Sequence, residues 1–201
     1  MTTKLRAASF QDGAVTNAKL AGSIATAKLV QGSSFLTTAS TITTSNMPSG
    51  TIIQVKRNVG TTEYSTTSTS TYLNIADINT TITPKSASSV LFFQMSGLLF
   101  TTGMTAGQTG CHFRLEDNTN STVIAQYRGV NFTNNNGSSY QTQSMQQFSF
   151  NFTTAASNTT EREYRLEFRI EPSFNNCSSA IVGWPDASTS PQSMIIYEIA
   201  S

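Results

Sequence analysis

Residues able to do chemistry are few and scattered. The single histidine, His112, sits before Phe113 in a stretch that reads as a strand, and one imidazole without a second is a poor start for a histidine-based metal site. No Gly-x-Ser-x-Gly elbow is present to expose a nucleophilic serine, and no glycine-rich phosphate cradle leads into a helix. Paired carboxylates can cleave a glycosidic bond, and Glu63, Glu116, Asp117, Glu161 and Asp186 fall in or near expected turns. Their spacing carries no catalytic signature, and acidic residues in turns are ordinarily just solvated. His112 therefore reads as a structural or interface residue. No catalytic, metal-binding or cofactor-binding residue is assigned, and no cofactor is expected.

Recognition through aromatic faces and amides has better support. Residues 131–140 gather Asn131, Phe132, Asn134, Asn135 and Tyr140 among hydroxyl side chains, in what reads as one loop. Gly183-Trp184-Pro185-Asp186 sets the only tryptophan in a turn beside a carboxylate. Sugar rings offer apolar C–H faces and many hydroxyls, so these residues are candidate glycan contacts on loops that a rigid scaffold would hold. The plainer readings stand beside this one: an Asn-rich turn, and a tryptophan that covers one end of a β domain or joins subunits.

The scaffold itself is legible in the alternation of residue types. Over 163–171, Tyr164, Leu166, Phe168 and Ile170 alternate with Arg165, Glu167 and Arg169, which makes a strand with one apolar and one charged face. Phe148, Phe150 and Phe152 alternate with Ser149 and Asn151 in the same way, and 51–57 and 193–199 are further strands. Residues 90–100 are more continuously apolar, as expected of a strand covered on both sides or lying in a multimer interface. Strands at 112–115 and 122–127 flank a probable turn at Glu116-Asp117-Asn118-Thr119-Asn120-Ser121. No helical period is sustained. Eight or so strands after Gly50 make an antiparallel β-sandwich of jelly-roll type.

Only 11% of the residues are charged and the net charge is +1, which argues against a nucleic-acid binder with its clustered basic surface. Hydrophobic residues reach 37%, enough to rule out a charge-repelled disordered chain. No apolar run is long enough to cross a membrane as a helix, and Met1-Thr2-Thr3-Lys4-Leu5-Arg6 is no signal peptide. Synthesis in a cytosol is therefore expected, where Cys111 and Cys177 read as small buried hydrophobes rather than as a disulfide.

Ahead of the strands lies an internal repeat. Asp12-Gly13-Ala14-Val15-Thr16-Asn17-Ala18-Lys19-Leu20 is followed by Ala21-Gly22-Ser23-Ile24-Ala25-Thr26-Ala27-Lys28-Leu29, a nine-residue period. A unit so short cannot bury its own apolar residues. Val15, Leu20, Ile24 and Leu29 therefore need partners, and identical copies wound about a shared axis are the simplest source. A flexible linker is the alternative. Leu5 and Phe10, before the repeats, are candidate docking residues. Met47-Pro48-Ser49-Gly50 is a turn signal, so residues 1–47 read as anchor and stalk and 48–201 as the sandwich.

These motifs resemble a known family. The Ala-Lys-Leu units look like the stalk repeats of tail-fibre proteins from marine phages and cyanophages. The following region is similar to the domain after those repeats, through Gly50-Thr51-Ile52-Ile53-Gln54-Val55, Ser70-Thr71-Tyr72, Ile82-Thr83-Pro84-Lys85-Ser86, Arg162-Glu163-Tyr164-Arg165-Leu166 and Met194-Ile195-Ile196-Tyr197-Glu198-Ile199. The resemblance implies a homotrimeric, non-enzymatic structural protein of the virion, docked to other virion proteins through its N-terminus and displayed for host attachment. It supplies no catalytic residues. The stalk is shorter than in longer family members, which keeps a head fibre or capsid decoration protein open as an alternative. A glycan-degrading spike and a bacterial adhesin are the weaker ones.

Overall fold

A computed structural model describes residues 47–103, 107–134, 142–172, 177–183 and 191–201, all within one compact unit, Ile42–Ser201. The stalk residues Val15, Leu20, Ile24 and Leu29, and the docking residues Leu5 and Phe10, lie outside the described residues. Strands β1 (Ile52–Gly60), β2 (Tyr64–Thr66), β3 (Leu73–Asn74), β4 (Thr80–Ile82), β5 (Val90–Gly103), β6 (Gly107–Asp117), β7 (Thr122–Asn134), β8 (Thr142–Ala155), β9 (Arg162–Ile170), β10 (Cys177–Val182) and β11 (Gln192–Ile199) are joined by turns and one 3-10 turn, Ala76–Ile78. Every strand expected from the alternation is present, several of them longer than expected.

The strands form two antiparallel sheets. In the first, β5 pairs along one edge with β8 over its whole length. Along the other edge, residues 90–96 of β5 pair with β11 and residues 99–103 with β10. Beyond these, β1 pairs with β11 and β2 with β10. In the second sheet the order is β3 and β4 in line, then β9, β6 and β7. Lateral positions number four in each sheet, and three of the eight hold two short strands end to end: β1/β2, β3/β4 and β10/β11. Taken in chain order, positions 1, 8, 3 and 6 make one sheet and 2, 7, 4 and 5 the other. Two interleaved Greek keys of this kind are the jelly roll that the strand pattern led us to expect.

Burial follows the pleat. Leu91, Phe93, Met95 and Leu99 of β5 face inward and are fully buried, opposite Phe113, Leu115, Tyr164, Leu166 and Phe168. Phe92, Gln94, Ser96 and Leu98 point the other way and are half-buried. Residues 90–100 thus read as continuously apolar because both faces carry apolar side chains, while their burial still alternates. Aromatic rings join the sheets: Phe113 lies 4.8 Å from Phe148, and Phe93 meets Tyr164 edge-on at 4.8 Å, while Phe113 also stacks on Phe168 of its own sheet at 6.0 Å. Burial pushes the Tyr164 phenol up to about 12. Cys111 and Cys177 are free thiols, Cys111 in the core and Cys177 against it.

One buried carboxylate ties the chain's closing strand to the connection between the sheets. Glu198 of β11 is fully buried. Its Oε1 accepts from the Lys85 and Ser86 amides at 2.7 and 3.1 Å and from the Ser89 hydroxyl at 2.7 Å. Gln54, with its amide nitrogen turned toward Glu198, donates to Oε2 at 3.2 Å and to the Thr83 carbonyl at 3.1 Å. A buried charge is tolerated only when hydrogen-bonded, and here the donors come from two separate segments, residues 85–89 and Gln54.

Two expectations follow. Phe168→Ala should cost about 3–5 kcal/mol in urea unfolding, as for a large aromatic removed from a core. Glu198→Ala removes the acceptor of four donors, at about 1–3 kcal/mol for each one left unpaired, whereas Glu198→Gln keeps an acceptor oxygen for Lys85, Ser86 and Ser89 and should cost markedly less. Equal costs for the two Glu198 variants would show that the hydrogen bonds contribute little.

Candidate functional site

Strand register divides the jelly roll into two poles. At the proximal pole, Ile52 pairs with Ile199 and Val90 with Ala155, and the Gly50 amide donates to the Ala200 carbonyl at 2.7 Å. The chain passes from residues 1–46 into the sandwich here. At the distal pole, Gly103 pairs with Thr142 and with Cys177, and Gly107 pairs with Asn134. β5 runs from one pole to the other over 14 residues, roughly 45 Å at ~3.3 Å per residue.

The β7–β8 connection therefore belongs to the distal pole. Asn131, Phe132 and Asn134 are not in a loop, as the sequence suggested, but in the last stretch of β7, where they pair with Gly110, Thr109 and Gly107. The ladder extends because β6 runs back to Gly107, with a bulge between Gly110 and His112 absorbing the mismatch. Asn135 and Tyr140 lie outside the described residues, between the two strands.

Trp184 and Asp186 are likewise outside the described residues, but the posts that hold their segment are well defined. All three doubled positions are interrupted close to one another: the first between Gly60 and Tyr64, the second between Asn74 and Thr80, the last between Val182 and Gln192. Polar side chains stitch the breaks together. Asp77 accepts from the Thr62 amide at 2.9 Å, and its own amide donates to the Tyr64 hydroxyl at 3.0 Å. The buried Gln192 amide donates to the Thr62 carbonyl at 2.7 Å and lies 3.3 and 3.4 Å from the Asp77 carboxylate oxygens. Asn58 donates to the Asn79 carbonyl. Gly60 is obligatory, because a Cβ there would lie 2.1 Å from the Asp77 carboxyl carbon. Gly183 takes φ +87°, a left-handed conformation that suits glycine, and it turns the chain out of β10 against the Thr62 carbonyl. Val182 pairs with Leu99, four residues or about 13 Å short of the distal end of β5. The two candidate glycan segments thus spring from different levels of the sandwich.

Charges concentrate on the outer face of the second sheet, where they satisfy one another. Arg114 bonds Glu167 and Glu116, the latter at 3.2 Å, and Arg165 bonds Glu163 at 2.7 Å. Tyr72 lies between two guanidinium groups, with Arg114 4.2 Å and Arg169 4.7 Å from its ring centre. Its hydroxyl is 2.9 Å from His112 Nδ1, and Arg169 holds the Thr69 and Ser70 carbonyls at 2.9 and 3.3 Å. Of the acidic residues considered for glycan cleavage, Asp117 is buried against Arg162 at 3.5 Å and holds Asn120. Glu116 belongs to the Arg114 network, and Glu63 and Glu161 are exposed. Among the described residues, no three His, Cys, Asp or Glu side chains cluster as a metal site would need.

Burial, and then the neighbouring Arg169, lowers the His112 pKa from its usual value, against the pull of Glu171 at 3.9 Å. The imidazole is thus neutral in the folded chain where the unfolded chain would begin to hold a proton. The unfolded state binds more protons below about pH 6.5, so His112 makes stability fall as pH drops through that window. Glu167, whose pKa burial raises, works in the opposite direction. The contribution of His112 is isolated by comparison: between about pH 7.5 and pH 5, wild type should lose more melting temperature than His112→Gln. Equal slopes would mean that His112 is protonated equally in both states.

No family model matches the chain, and no curated protein does. Among solved structures it is similar to that of the infectious bursal disease virus Gx strain, at 17% identity over 75% of this chain and 39% of that chain, with a TM-score of 0.33. It is also similar to the T=1 particles derived from infectious bursal virus, at 15% identity over 75% of this chain and 37% of that one, with a TM-score of 0.34. The chain spans well under half the length of those it matches.

Proposed function

We propose that this chain is a structural protein of a bacteriophage virion: a homotrimeric fibre or spike without enzymatic activity, whose jelly-roll knob is displayed for attachment to the host surface. The observation that carries this reading is polarity. The chain enters the knob from residues 1–46, with their Ala-Lys-Leu repeats, at one pole, and the strand ends Asn134 and Thr142, which flank Asn135 and Tyr140 in sequence, lie at the other, roughly 45 Å away. A projecting attachment domain needs that separation. Two of the motifs that carry the resemblance to phage tail-fibre proteins also meet in space, since Lys85 and Ser86 of the first bond Glu198 of the closing one. Leu5 and Phe10 are the residues through which other virion proteins would hold the chain, and host glycan is the proposed ligand of Tyr140, Trp184 and Asp186.

Immunogold labelling of purified particles with antibody against residues 48–201 should decorate the tail. Label on the capsid would assign the chain as a head fibre or decoration protein instead, and particles without label would overturn the virion reading. Purified protein should compete with phage adsorption, and Tyr140→Ala and Trp184→Ala should compete less well. If both variants trimerise and compete like wild type, the glycan contacts are refuted.

A further inference from the structure

The two outer faces of the sandwich differ in kind. On the second sheet, the outer face carries Arg114 paired with Glu116 and Glu167, Arg165 paired with Glu163, and Arg169. On the first sheet, register places Val55, Arg57 and Val59 of β1 beside Tyr197, Ile195 and Ser193 of β11, and these beside Phe92, Gln94 and Ser96 of β5. Arg57 is the one charge on that face of its four strand positions. Val55 and Val59 are 50% and 42% exposed, and Ile52, at the same edge, is 54% exposed. Phe92, Ile195 and Tyr197 are only half-buried. Antiparallel sheets ordinarily turn a polar face to water. Here the face carries apolar side chains and neutral amides and hydroxyls, from Val55 and Tyr197 near the proximal pole to Met145 of β8, 60% exposed, in the distal half.

We infer that the outer face of the first sheet, at the pole where residues 1–46 join, packs against a further copy of this chain. This deepens the homotrimer reading and rests on it. Two observations favour a copy over another occupant. First, the face is nearly neutral, so two copies meet with only the exposed Arg57 of each to keep hydrated, whereas a charged partner would find only Arg57 to pair with. Second, the segment whose repeats need identical copies to cover Val15, Leu20, Ile24 and Leu29 is covalently continuous with β1, the strand that carries Val55 and Val59.

Size agrees with that division of labour. Four strands about 4.8 Å apart, each contributing about eight residues, make a face of roughly 500 Å². Stable interfaces take about 800 Å² from each partner, so this face alone associates weakly. Tethered beside its neighbours by the N-terminal segment, it experiences a high effective concentration and no longer needs strong intrinsic affinity.

The test uses the full 201-residue chain with a single added cysteine. Val55→Cys and Val59→Cys report the outer face of the first sheet, and Gln126→Cys, at an exposed position on the second, is the control. Light scattering gives the mass, and maleimide labelling followed by peptide mass spectrometry gives the reactivity at each site. We expect an oligomer in which positions 55 and 59 label at least about tenfold more slowly than position 126, the measure of a contact closed most of the time. An oligomer with all three positions equally open removes the interface and leaves the homotrimer standing. Shielding of position 126 instead would move the contact to the charged sheet. A monomer with every position open overturns both readings, and a monomer with position 55 shielded makes residues 1–46 of the same chain the occupant.

Discussion

Everything in this domain hangs on the ladders of β5. Buried backbone amides and carbonyls must be hydrogen-bonded, and a strand of 14 residues has two edges to satisfy. One is filled by an unbroken partner, β8, and the other by two strands laid end to end, β11 and β10. That division obliges the chain to leave the sheet between Val182 and Gln192. Neighbouring β1 and β2 break at the same level, and the Asp77, Thr62 and Gln192 network is the local answer to the backbone groups that the breaks release. The interval between Val182 and Gln192, which holds Trp184 and Asp186 in sequence, is thus a consequence of how β5 is paired.

The periodic elements were open to sequence reasoning because the pleat writes them directly: Tyr164, Leu166, Phe168 and Ile170 could face only one way. The jelly-roll order was within reach for the same reason, since regularly spaced strands without helices leave few closed solutions. What could not be read was whatever depends on partners far apart in the chain. Asn131, Phe132 and Asn134 looked like loop because Asn, Thr and Gly dominate there, yet pairing with 107–110 overrides that preference, as tertiary context does for strands. Glu198 looked like a surface charge in an alternating strand, and only the fold shows that the amides of Lys85 and Ser86 converge on it. The Tyr72, His112 and Arg169 cluster joins β6 and β9 to the segment just before β3 and had no local signal beyond the Arg–Glu alternation of β9.

The distribution of charge makes sense of the unusual composition. A chain with so few ionisable residues cannot cover itself with them, and among the described residues the ion pairs gather on the second sheet. The remaining surface relies on hydroxyls and amides for its contact with water. Such a surface holds its character across wide changes in pH and salt, because few of its exposed groups titrate and little of its solvation is screened. The one histidine is buried among guanidinium groups, and its protonation is coupled to folding.

The two poles also fix how the domain would bear load. Antiparallel hydrogen bonds lie perpendicular to their strands, and β1, which receives the chain from residues 1–46, runs along the line between the poles. A pull on the chain at Gly50 while the distal end is held therefore acts along β1, across the direction of its bonds to β11. Those bonds must slide together rather than peel apart one by one, and resistance is shared over the whole run from Ile52 to Gly60. A pull from the side would open the same bonds in sequence like a zip, so the direction of the load decides whether this strand acts as a tension member.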